Sequence, residues 1–405
     1  MKKYFKRWLC ILLALILALG LVACGAGGDD SDEPEEPSTS DNSSGAEEPS
    51  ENGDSESQDA IAGPISVQVL VAPSWEFDSV QPFSEGLAWV RDAGTGLVGF
   101  IDMEGNEAIP FIYSDARAFS EGLALIAVGV WGTESFRQGF IDREGNEVIP
   151  PIYSRAGSFS EGLAWARDAG TGLIGFIDTE GNEAIPFIYS DARAFSEGLA
   201  PVSVRDEGTE RWGFIDGEGN EVIPFIYANA HIFTEGLTAV QDTDSGMWGF
   251  IDMENNEVVP FIYVTTGETD GGFSEGLAPV NKGGVVNVDG YYGFIDMEGN
   301  EVIPFIYRGA HVFSEGLAAV RGVDTGLYGF IDREGNEVIP LIYDQAWIFS
   351  EGLTAVRDRN TGLFGFIDRE GNEVVPFIYD HTWYFSEGLA WVREGDVWGL
   401  LQIVQ

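Results

Sequence analysis

Residues 83–113 read FSEGLAWVRDAGTGLVGFIDMEGNEAIPFIY, and three phrases of this stretch recur in a fixed order along the chain. The first phrase is F-[S/T]-E-G-L, the second is G-F-I-D, and the third is close to E-V-I-P-F-I-Y. The first phrase occurs nine times, with its phenylalanine at Phe83, Phe119, Phe159, Phe195, Phe233, Phe273, Phe313, Phe349 and Phe385. The copies are 36 to 40 residues apart. A period of this length predicts an array of similar supersecondary units.

The repeat separates a constant framework from one variable connection. The glycine of G-F-I-D and the proline of the third phrase are 11 residues apart in every copy, whereas the distance from the first phrase to that glycine varies from 14 to 20. Since loops tolerate insertions and packed elements do not, the variable segment is predicted to be a loop. In the first copy the framework predicts short strands at 86–90, 98–102 and 107–113. The last two are joined by a tight turn with a residue that tolerates positive φ, Gly105 or in another copy Asn255.

The third of these strands decides the predicted packing. Its apolar residues do not alternate with polar ones, as Val222 to Tyr227 shows, so we expect both of its faces to be buried. Sheets stacked radially in a β-propeller provide such burial better than a β-solenoid with one wet face. The recurrent proline is expected at a sheet edge or a bulge, because it cannot donate to a central ladder. The sequence predicts an all-β tandem array of about nine three- to four-stranded units, with a propeller-like ring favoured.

The two ends of the array complement each other. Val69 to Phe83 aligns with the third strand of a unit, and Phe385 to Gln405 supplies the first two strands. These partial units predict a ring that is closed by strands shared between the two ends. Nine units exceed the roughly four to eight that are usual in propellers. An open β-repeat superhelix or solenoid, with these ends as caps, is therefore the alternative.

The N-terminal segment has the composition of an export signal. A basic start is followed by the mostly apolar stretch Leu9 to Ala23. Residues 21–24, LVAC, resemble the lipobox of bacterial lipoproteins. This resemblance implies a signal peptide at 1–23, cleavage before Cys24, and a lipid anchor on that cysteine outside the cytoplasmic membrane. An ordinary secretory signal with a chance cysteine is the alternative.

Residues 24–62 are rich in Ser, Gly, Pro and acidic residues and contain no aromatic residue. Such a segment cannot bury enough apolar area to offset chain entropy, so we expect a disordered tether. The repeat domain is predicted to occupy 63–405. The second cysteine, Cys10, lies inside the predicted signal. The mature repeat region therefore has no cysteine, which excludes disulfides, thiol catalysis and cysteine-bound zinc.

The chain is strongly acidic. It contains 67 Asp and Glu against 21 Lys and Arg, for a formal net charge of −46. A polyanion of this size repels nucleic acid and anionic lipid head groups. Nucleic acid is therefore excluded as a partner, and membrane contact is expected through the lipid anchor only. Solubility at a crowded cell surface is the simplest explanation of the charge.

The whole repeat resembles the WG-repeat proteins of bacteria. The unit E-G-L-A-x-V … [W/Y]-G-F-I-D-x-x-G-N-E-V-I-P-x-I-Y covers about residues 69–405. The defining pair stands at Trp212–Gly213, Trp248–Gly249 and Trp398–Gly399, and other residues replace the tryptophan elsewhere. The resemblance implies no settled biochemical activity, but a β-rich repeat used as a binding scaffold.

The three histidines and the acidic turns are the candidates for metal or acid–base chemistry. His231 and His311 occupy the same place in their units, where a polar rim position is expected, and His381 is the third. Turns such as 252–257, DMENNE, gather oxygens as calcium loops do. They lack the full calcium-loop pattern, so a hairpin without an ion is favoured. No cofactor is predicted.

The glutamate of F-[S/T]-E-G recurs in all nine copies, and a turn or ladder partner is the simplest role for it. Residues 83–119 and 159–195 differ at only three places. Glycoside hydrolysis needs two carboxyl groups in unlike environments, whereas near-identical units provide identical ones. The sequence therefore predicts no catalytic residue and no enzyme.

The variable connections 128–138, 205–211 and 281–291 are the predicted contact surface. The side chains expected to make contacts there are Trp131, Glu134, Arg137, Glu207, Glu210, Arg211, Lys282, Asn287 and Tyr291. The predicted function is a surface-anchored, non-enzymatic scaffold for a protein or glycan of the cell envelope or its surroundings. A cell-envelope hydrolase acting on peptidoglycan or glycans and a purely structural spacer are the alternatives.

Overall fold

The computed structural model describes residues 65–265, 272–283 and 291–404, which form 33 β-strands and no helix. These residues accordingly contain no helix that is long and apolar enough to cross a membrane. The predicted signal peptide, Cys24, the tether and Asn287 lie outside the described residues. The prediction of an all-β repeat array is confirmed.

The strands group into nine antiparallel units, which we call units 1 to 9: six are separate four-stranded sheets, and units 6 to 8 lie in one nine-stranded sheet. The first strand of the chain, β1 (Ser66–Trp75), belongs to unit 9. Unit 1 contains β2 (Phe77–Val80), β3 (Leu87–Asp92), β4 (Val98–Asp102) and β5 (Glu107–Tyr113). Unit 2 contains β6 (Asp115–Ser120), β7 (Leu123–Val128), β8 (Arg137–Ile141) and β9 (Glu147–Tyr153). Unit 3 contains β10 (Arg155–Ala156), β11 (Leu163–Arg167), β12 (Ile174–Asp178) and β13 (Glu183–Tyr189).

Units 4 and 5 repeat this order. Unit 4 contains β14 (Asp191–Ala192), β15 (Ala200–Asp206), β16 (Thr209–Ile215) and β17 (Glu221–Tyr227). Unit 5 contains β18 (Asn229–Ala230), β19 (Thr238–Gln241), β20 (Trp248–Ile251) and β21 (Glu257–Tyr263). In unit 6 the described part of the first strand is the bridge between Thr265 and Asn281, and residues 266–271 lie outside the described residues.

Units 6 to 8 are joined, because two strands continue from the end of one unit into the start of the next. These two strands are β24 (Glu301–Ala310) and β27 (Glu337–Ala346). The remaining strands are β22 (Leu277–Asn281), β23 (Tyr292–Asp296), β25 (Ala318–Gly322), β26 (Tyr328–Ile331), β28 (Leu353–Asp358), β29 (Phe364–Asp368) and β30 (Glu373–Tyr379). Unit 9 contains β31 (His381–Thr382), β32 (Leu389–Glu394), β33 (Val397–Val404) and β1.

The strands at 98–102 and 107–113 lie where the sequence predicts them, as β4 and β5. The sequence misses the first strand of each unit, because a strand of two residues such as β10 shows no periodicity. The turn glycine behaves as predicted: φ is +85° at Gly105 and +66° at Asn255. The recurrent proline lies in a bulge. Between the pairs Phe214–Ile223 and Trp212–Tyr227, the strand β17 has two residues more than its partner, and Pro224 is among them.

The prediction that this proline-containing strand is buried on both faces is wrong. In β17, Ile223 and Tyr227 are buried, whereas Val222, Pro224 and Ile226 are exposed. Burial on both faces belongs instead to the second and third strands of the units, such as β19 and β20. Sheets that radiate from a common axis diverge with distance from it, so neighbours cover only one face of the fourth strand. We call this fourth strand the outer strand.

The apolar core lies between units rather than within them. Nine buried clusters occur, one at each junction between neighbouring units. At the junction of units 1 and 2, Phe100 packs edge-on against Phe119 with ring centroids 5.2 Å apart. A unit that buries its faces only against its neighbours cannot fold stably alone. The stability of each unit therefore depends on the next.

The last unit is closed by the first strand of the chain. β1 pairs with β33 in antiparallel register, from Ser66 opposite Val404 to Trp75 opposite Trp398. Unit 9 also bonds to unit 1, where the indole N–H of Trp391 donates to the carbonyl of Gln81 at 2.8 Å. The nine units thus form a closed ring with eight continuous units and one composite unit.

Candidate functional site

The F-[S/T]-E-G-L phrase forms a tight hairpin turn in each unit. In unit 1 the Ser84 N–H donates to the Leu87 carbonyl at 2.9 Å, and the Leu87 N–H donates back to Ser84 at 3.2 Å. Between them, Glu85 and Gly86 have φ of +54° and +81°. Two central residues with positive φ define a type I′ turn. A glutamate in this conformation costs about 1 kcal/mol, and it recurs in all nine turns, with φ between +54° and +57°.

These nine glutamates hold neighbouring units together. The carboxylate of Glu85 accepts a hydrogen bond from the Gly122 N–H of the next turn at 3.0 Å. The same bond is repeated at each of the nine junctions, at 2.8 to 3.0 Å. The last of them, from the Gly86 N–H to Glu387, joins unit 1 to unit 9. A hydrogen bond to a carboxylate is stronger than one between neutral groups, so it offsets the strain of the left-handed backbone.

The serine of the same phrase forms a second set of bonds between units. The Ser84 hydroxyl donates to the Phe119 carbonyl at 2.6 Å. Eight junctions carry this bond, at 2.6 to 2.8 Å, and Ser386 to Phe83 is the closing one. The exception is Thr234, whose buried hydroxyl has no hydrogen-bond partner among the described residues. The repeated polar residues of the phrase therefore serve the junctions of the ring.

The acidic turns bind their own backbone. In unit 2, Asp142 Oδ1 accepts from the N–H groups of Glu144 at 3.1 Å and Asn146 at 2.8 Å, and Oδ2 accepts from the Asn146 amide at 2.9 Å. The Asn146 side-chain bond lowers the pKa of Asp142 below its ordinary value. The equivalent aspartates are Asp102, Asp178, Asp216, Asp252, Asp296, Asp332 and Asp368. Within the described ranges no group of three or more His, Asp or Glu is placed to hold a metal ion.

The histidines belong to units 5, 7 and 9, and each lies beside the aromatic residue of its own unit that precedes the glycine of G-F-I-D or, in unit 9, the equivalent Gly399. The ring of His231 is 4.8 Å from that of Trp248, His311 is 6.1 Å from Tyr328, and His381 is 5.7 Å from Trp398. Burial lowers the pKa of His381 below its ordinary value. These positions place the histidines in the packing between strands.

The variable connection of unit 2 presents an apolar tip on a braced loop. Val130 and Trp131 are 65% and 69% exposed. The Thr133 hydroxyl and N–H both donate to the Val130 carbonyl, at 2.7 and 3.1 Å. Arg137 Nη1 donates to the carbonyl of Glu134 at 2.6 Å. These bonds hold the loop in one shape while the Trp131 ring, edge-on to Phe136 at 4.8 Å, stays in contact with solvent.

The variable connections of units 4 and 6 are charged. In unit 4, Glu210 accepts from Arg205 and from the Ser203 hydroxyl, both at 2.7 Å, and the Arg205 bond lowers the pKa of Glu210. Glu207 lies at the hairpin turn with φ of +48°, and Arg211 is half-buried in β16, opposite Val204. In unit 6, Lys282 lies over a ring of its own unit and Tyr291 is exposed.

The corresponding connections of units 1, 3, 5 and 8 are closed by an aspartate. In unit 3, Asp168 Oδ1 accepts from the Thr171 N–H at 2.7 Å and from its hydroxyl at 2.8 Å, which satisfies the polar groups within the loop. Asp92, Asp242 and Asp358 do the same in their units. In an antiparallel four-stranded unit, the connections between second and third strands all leave the same edge of the ring. The variable loops of units 2 and 4 therefore leave the same edge, separated by the closed loop of unit 3, and the described ends of the unit 6 connection, Lys282 and Tyr291, lie at this edge too.

The sequence identifies Trp131 but misses Val130, which is almost equally exposed. Two adjacent apolar residues between Gly129 and Gly132 are the signal for this tip. A Cβ at Gly129 would lie 2.0 Å from the Ser135 carbonyl oxygen, so the loop requires glycine there.

A closed ring of four-stranded antiparallel sheets, each bonded to the next through one turn phrase, defines a β-propeller-like repeat scaffold. Comparison with known families agrees with this class, since the WG containing repeat matches nine times. The matched residues are 69–95, 99–129, 139–170, 174–207, 212–244, 248–285, 292–321, 328–361 and 364–398. The chain belongs to the WG containing repeat family.

Solved structures with some similarity include Kluyvelomyces marxianus Hsv2 and KlHsv2 with loop 6CD replaced by a Gly-Ser linker. Each is 11% identical with a TM-score of 0.36, covering 70% of this chain and 94% of the other. Saccharomyces cerevisiae Sqt1 is 9% identical with a TM-score of 0.38, covering 83% of this chain and 98% of Sqt1. No functional inference follows at these TM-scores. The search of curated proteins finds no match.

Proposed function

We propose that the repeat domain is a non-enzymatic scaffold that binds a protein or glycan through the face carrying the variable loops of units 2, 4 and 6. The observation that carries this proposal is the exposed pair Val130 and Trp131 on a hydrogen-bonded loop. A fixed, exposed tryptophan is typical of residues that dominate binding, because it buries a large area and loses little entropy. The charged loop of unit 4 leaves the same edge of the ring two units further on, beyond the closed loop of unit 3.

The repetition of the carboxylates supports a scaffold rather than an enzyme. The nine turn glutamates and the eight turn aspartates all accept hydrogen bonds from backbone N–H groups. A general acid and a general base require two carboxyl groups in different environments. The turn glutamates share one environment that is repeated in every unit, and the turn aspartates share another. Turnover of a peptidoglycan or glycan substrate that is abolished by one carboxylate substitution would overturn this part of the proposal.

The loop surface can be tested by capture of ligands from a cell-envelope extract. We expect Val130→Ser/Trp131→Ser to lose most of the material that the unchanged chain retains. The matched control is Leu173→Ser, which alters an exposed apolar residue in the closed loop of unit 3. Equal capture by the double variant and the unchanged chain would contradict the proposed contact surface, provided both melt at the same temperature.

We further propose that Cys24 carries a lipid that anchors the chain at the outer side of the cytoplasmic membrane, with 24–62 as the tether. The support is the LVAC sequence at residues 21–24 after a basic and apolar segment. Metabolic labelling with a fatty acid should label the unchanged chain and leave Cys24→Ala unlabelled in the soluble fraction. Membrane association of the Cys24→Ala variant equal to that of the unchanged chain would contradict the anchor.

A further inference from the structure

One lysine of the described chain is bound by an outer strand. The Lys282 ammonium lies 4.3 Å from the centroid of the Phe305 ring and 3.4 Å from Glu301 Oε2. Both partners belong to β24, where glutamate is the first residue of the E-V-I-P-F-I-Y phrase and phenylalanine is the fifth. The ring lies across Gly293 of the neighbouring strand, where a Cβ would come within 3.0 Å of Phe305 Cγ. One ammonium group thus contacts both an aromatic ring and a carboxylate.

The same two residues recur in five other outer strands. They are Glu107 and Phe111 in unit 1, Glu183 and Phe187 in unit 3, Glu221 and Phe225 in unit 4, Glu257 and Phe261 in unit 5, and Glu373 and Phe377 in unit 8. Each glutamate is exposed and each phenylalanine is half-buried. In the part of the chain that the structure describes, none of these five glutamates has an ion-pair partner. Each of the five phenylalanine rings also stacks on another aromatic ring, with centroids 6.1 to 6.5 Å apart, as the Phe305 ring does on Tyr263 at 6.4 Å. The five pairs therefore resemble the one that binds Lys282, with an exposed carboxylate and a partly exposed ring.

The residue at the position of Lys282 explains why the other five pairs bind no lysine of their own unit. Lys282 directly follows the residue that pairs with Tyr292, and the equivalent residue in unit 1 is Asp92. Asp92 is held at 2.7 Å by the Thr95 N–H of its own loop. Units 3, 5 and 8 have an aspartate here too, and unit 4 has Val204. These units have no basic side chain at this position to bind the pair.

We propose that the outer strands of units 1, 3, 4, 5 and 8 are lysine-binding sites, and that they bind a lysine-rich segment of a partner protein. A single exposed ion pair or cation–π contact binds weakly, so a free amine would occupy one site only briefly. A chain with several lysines can engage more than one site, which raises the overall affinity without new contacts. The net charge of −46 favours the encounter with such a segment. This proposal is independent of the loop surface, because it rests on a different set of strands.

The experiment measures the binding of a fluorescent oligolysine peptide to the full chain by anisotropy at physiological salt. We expect Glu221→Gln/Phe225→Leu combined with Glu257→Gln/Phe261→Leu to weaken binding by about tenfold. Phe225→Leu/Phe261→Leu alone, with both carboxylates kept, should weaken it less but measurably. Leucine is already present at the equivalent position of unit 7, Leu341, so the substitution suits the fold.

Units 2 and 7 provide the matched control, because Pro151 and Leu341 stand there in place of phenylalanine. Glu147→Gln/Glu337→Gln removes the same charge from outer strands that lack the ring, and should change binding by less than about twofold. Equal losses in the control and in the four-residue variant would show a diffuse charge effect and overturn the proposal. An unchanged affinity in the four-residue variant would overturn it as well. Free spermidine should compete far less well than oligolysine at equal amine concentration, and equal competition would contradict a polypeptide partner.

Discussion

The junction of units 9 and 1 and the junction of units 5 and 6 depart from the other seven in opposite directions. At the closing junction the fully buried Trp391 stacks on Phe83 at 5.9 Å and donates to the Gln81 carbonyl. At the junction of units 5 and 6, Thr234 replaces serine and its buried hydroxyl has no partner among the described residues. The site where the chain ends meet thus has an added contact, and a continuous part of the chain lacks one.

The two junctions differ in how the chain connects the units on either side. Units 5 and 6 are joined covalently, so a lost hydrogen bond lowers local stability without separating them. In unit 9, β1 continues through Glu76 into β2 of unit 1, but β31 to β33 have no covalent connection to unit 1 and are held there by the pairing of β33 with β1 and by side-chain contacts. In a ring whose core lies between units, an open junction exposes two apolar faces. A large buried side chain at the junction of units 9 and 1 is therefore expected to contribute more to the free energy of unfolding than one at another junction.

Removing β1 should have the largest effect. A chain that begins at residue 77 leaves β33 without its partner and removes Val71 and Trp75 from the closing cluster. We expect a loss of about 5 kcal/mol or more in the free energy of unfolding, measured with urea. Deletion of 25–60 is the control and should leave unfolding unchanged. Equal stability of the two shortened chains would contradict closure through β1.

Trp391→Ala comes next and has a matched control in the same strand position of unit 3. Trp391 is fully buried, so its removal should cost about 3 to 5 kcal/mol. Trp165 is only half-buried beside its cluster, and Trp165→Ala should cost less than half as much. Thermal and urea unfolding measure both variants. A larger loss for Trp165→Ala would show that the closing junction has no special weight.

The pH dependence of stability should have opposite signs for the turn glutamate Glu387 and the turn aspartate Asp142. Burial raises the pKa of Glu387 above 4.5, so its contribution is present below that value and is lost as pH rises through the folded pKa. The bond from Asn146 lowers the pKa of Asp142 below 3.8, so its contribution is present above that value and is lost as pH falls. Relative to Glu387→Gln the unchanged chain should be more stable at pH 4 than at pH 7. Relative to Asp142→Asn it should lose stability as pH falls below 4.

Urea unfolding of the three chains at several pH values measures both differences. The comparison with each variant removes the effect of the other titrating groups. The same sign of pH dependence for both variants would contradict the assigned environments.

Thr234→Ser should have the smallest effect. Serine at this position can donate to the Phe273 carbonyl as the other eight serines do in their junctions, which removes an unsatisfied buried hydroxyl. We expect a gain of about 0.5 to 1 kcal/mol. The reverse substitution, Ser274→Thr, should lower stability by a similar amount. A loss of stability in Thr234→Ser would show that the threonine methyl group fills space that the junction of units 5 and 6 needs.

The sequence predicts the units and the closure because both depend on repeated local patterns. The fixed spacing of G-F-I-D and proline sets β4 and β5, and the partial copies at the two ends predict the pairing of β1 with β33. The burial of the outer strand is mispredicted because an apolar stretch such as Val222 to Tyr227 does not reveal which neighbours diverge from it. Burial of this strand depends on the angle between sheets, which no local pattern encodes.

The candidate sites are less accessible from sequence. Trp131 is predicted from its place in a variable loop, whereas the role of the turn glutamates needs the register between neighbouring units. The pair Glu301 and Phe305 is repeated in the sequence, but only the docked Lys282 shows what such a pair can bind. The features that the sequence does not reveal all depend on contacts between residues that are distant in the chain.

The closed ring of nine units is tested most directly by a disulfide across the closing strands. Gln68 and Gln402 face each other in the register of β1 and β33, with their side-chain amides 3.0 Å apart. In a chain that starts at residue 63 and has no other cysteine, Gln68→Cys/Gln402→Cys should form an intramolecular disulfide under mild oxidation. Gln68→Cys/Arg205→Cys, which joins unit 9 to unit 4, should not. Failure of the first pair to form the bond, with native melting retained, would contradict a closed ring and favour an open array.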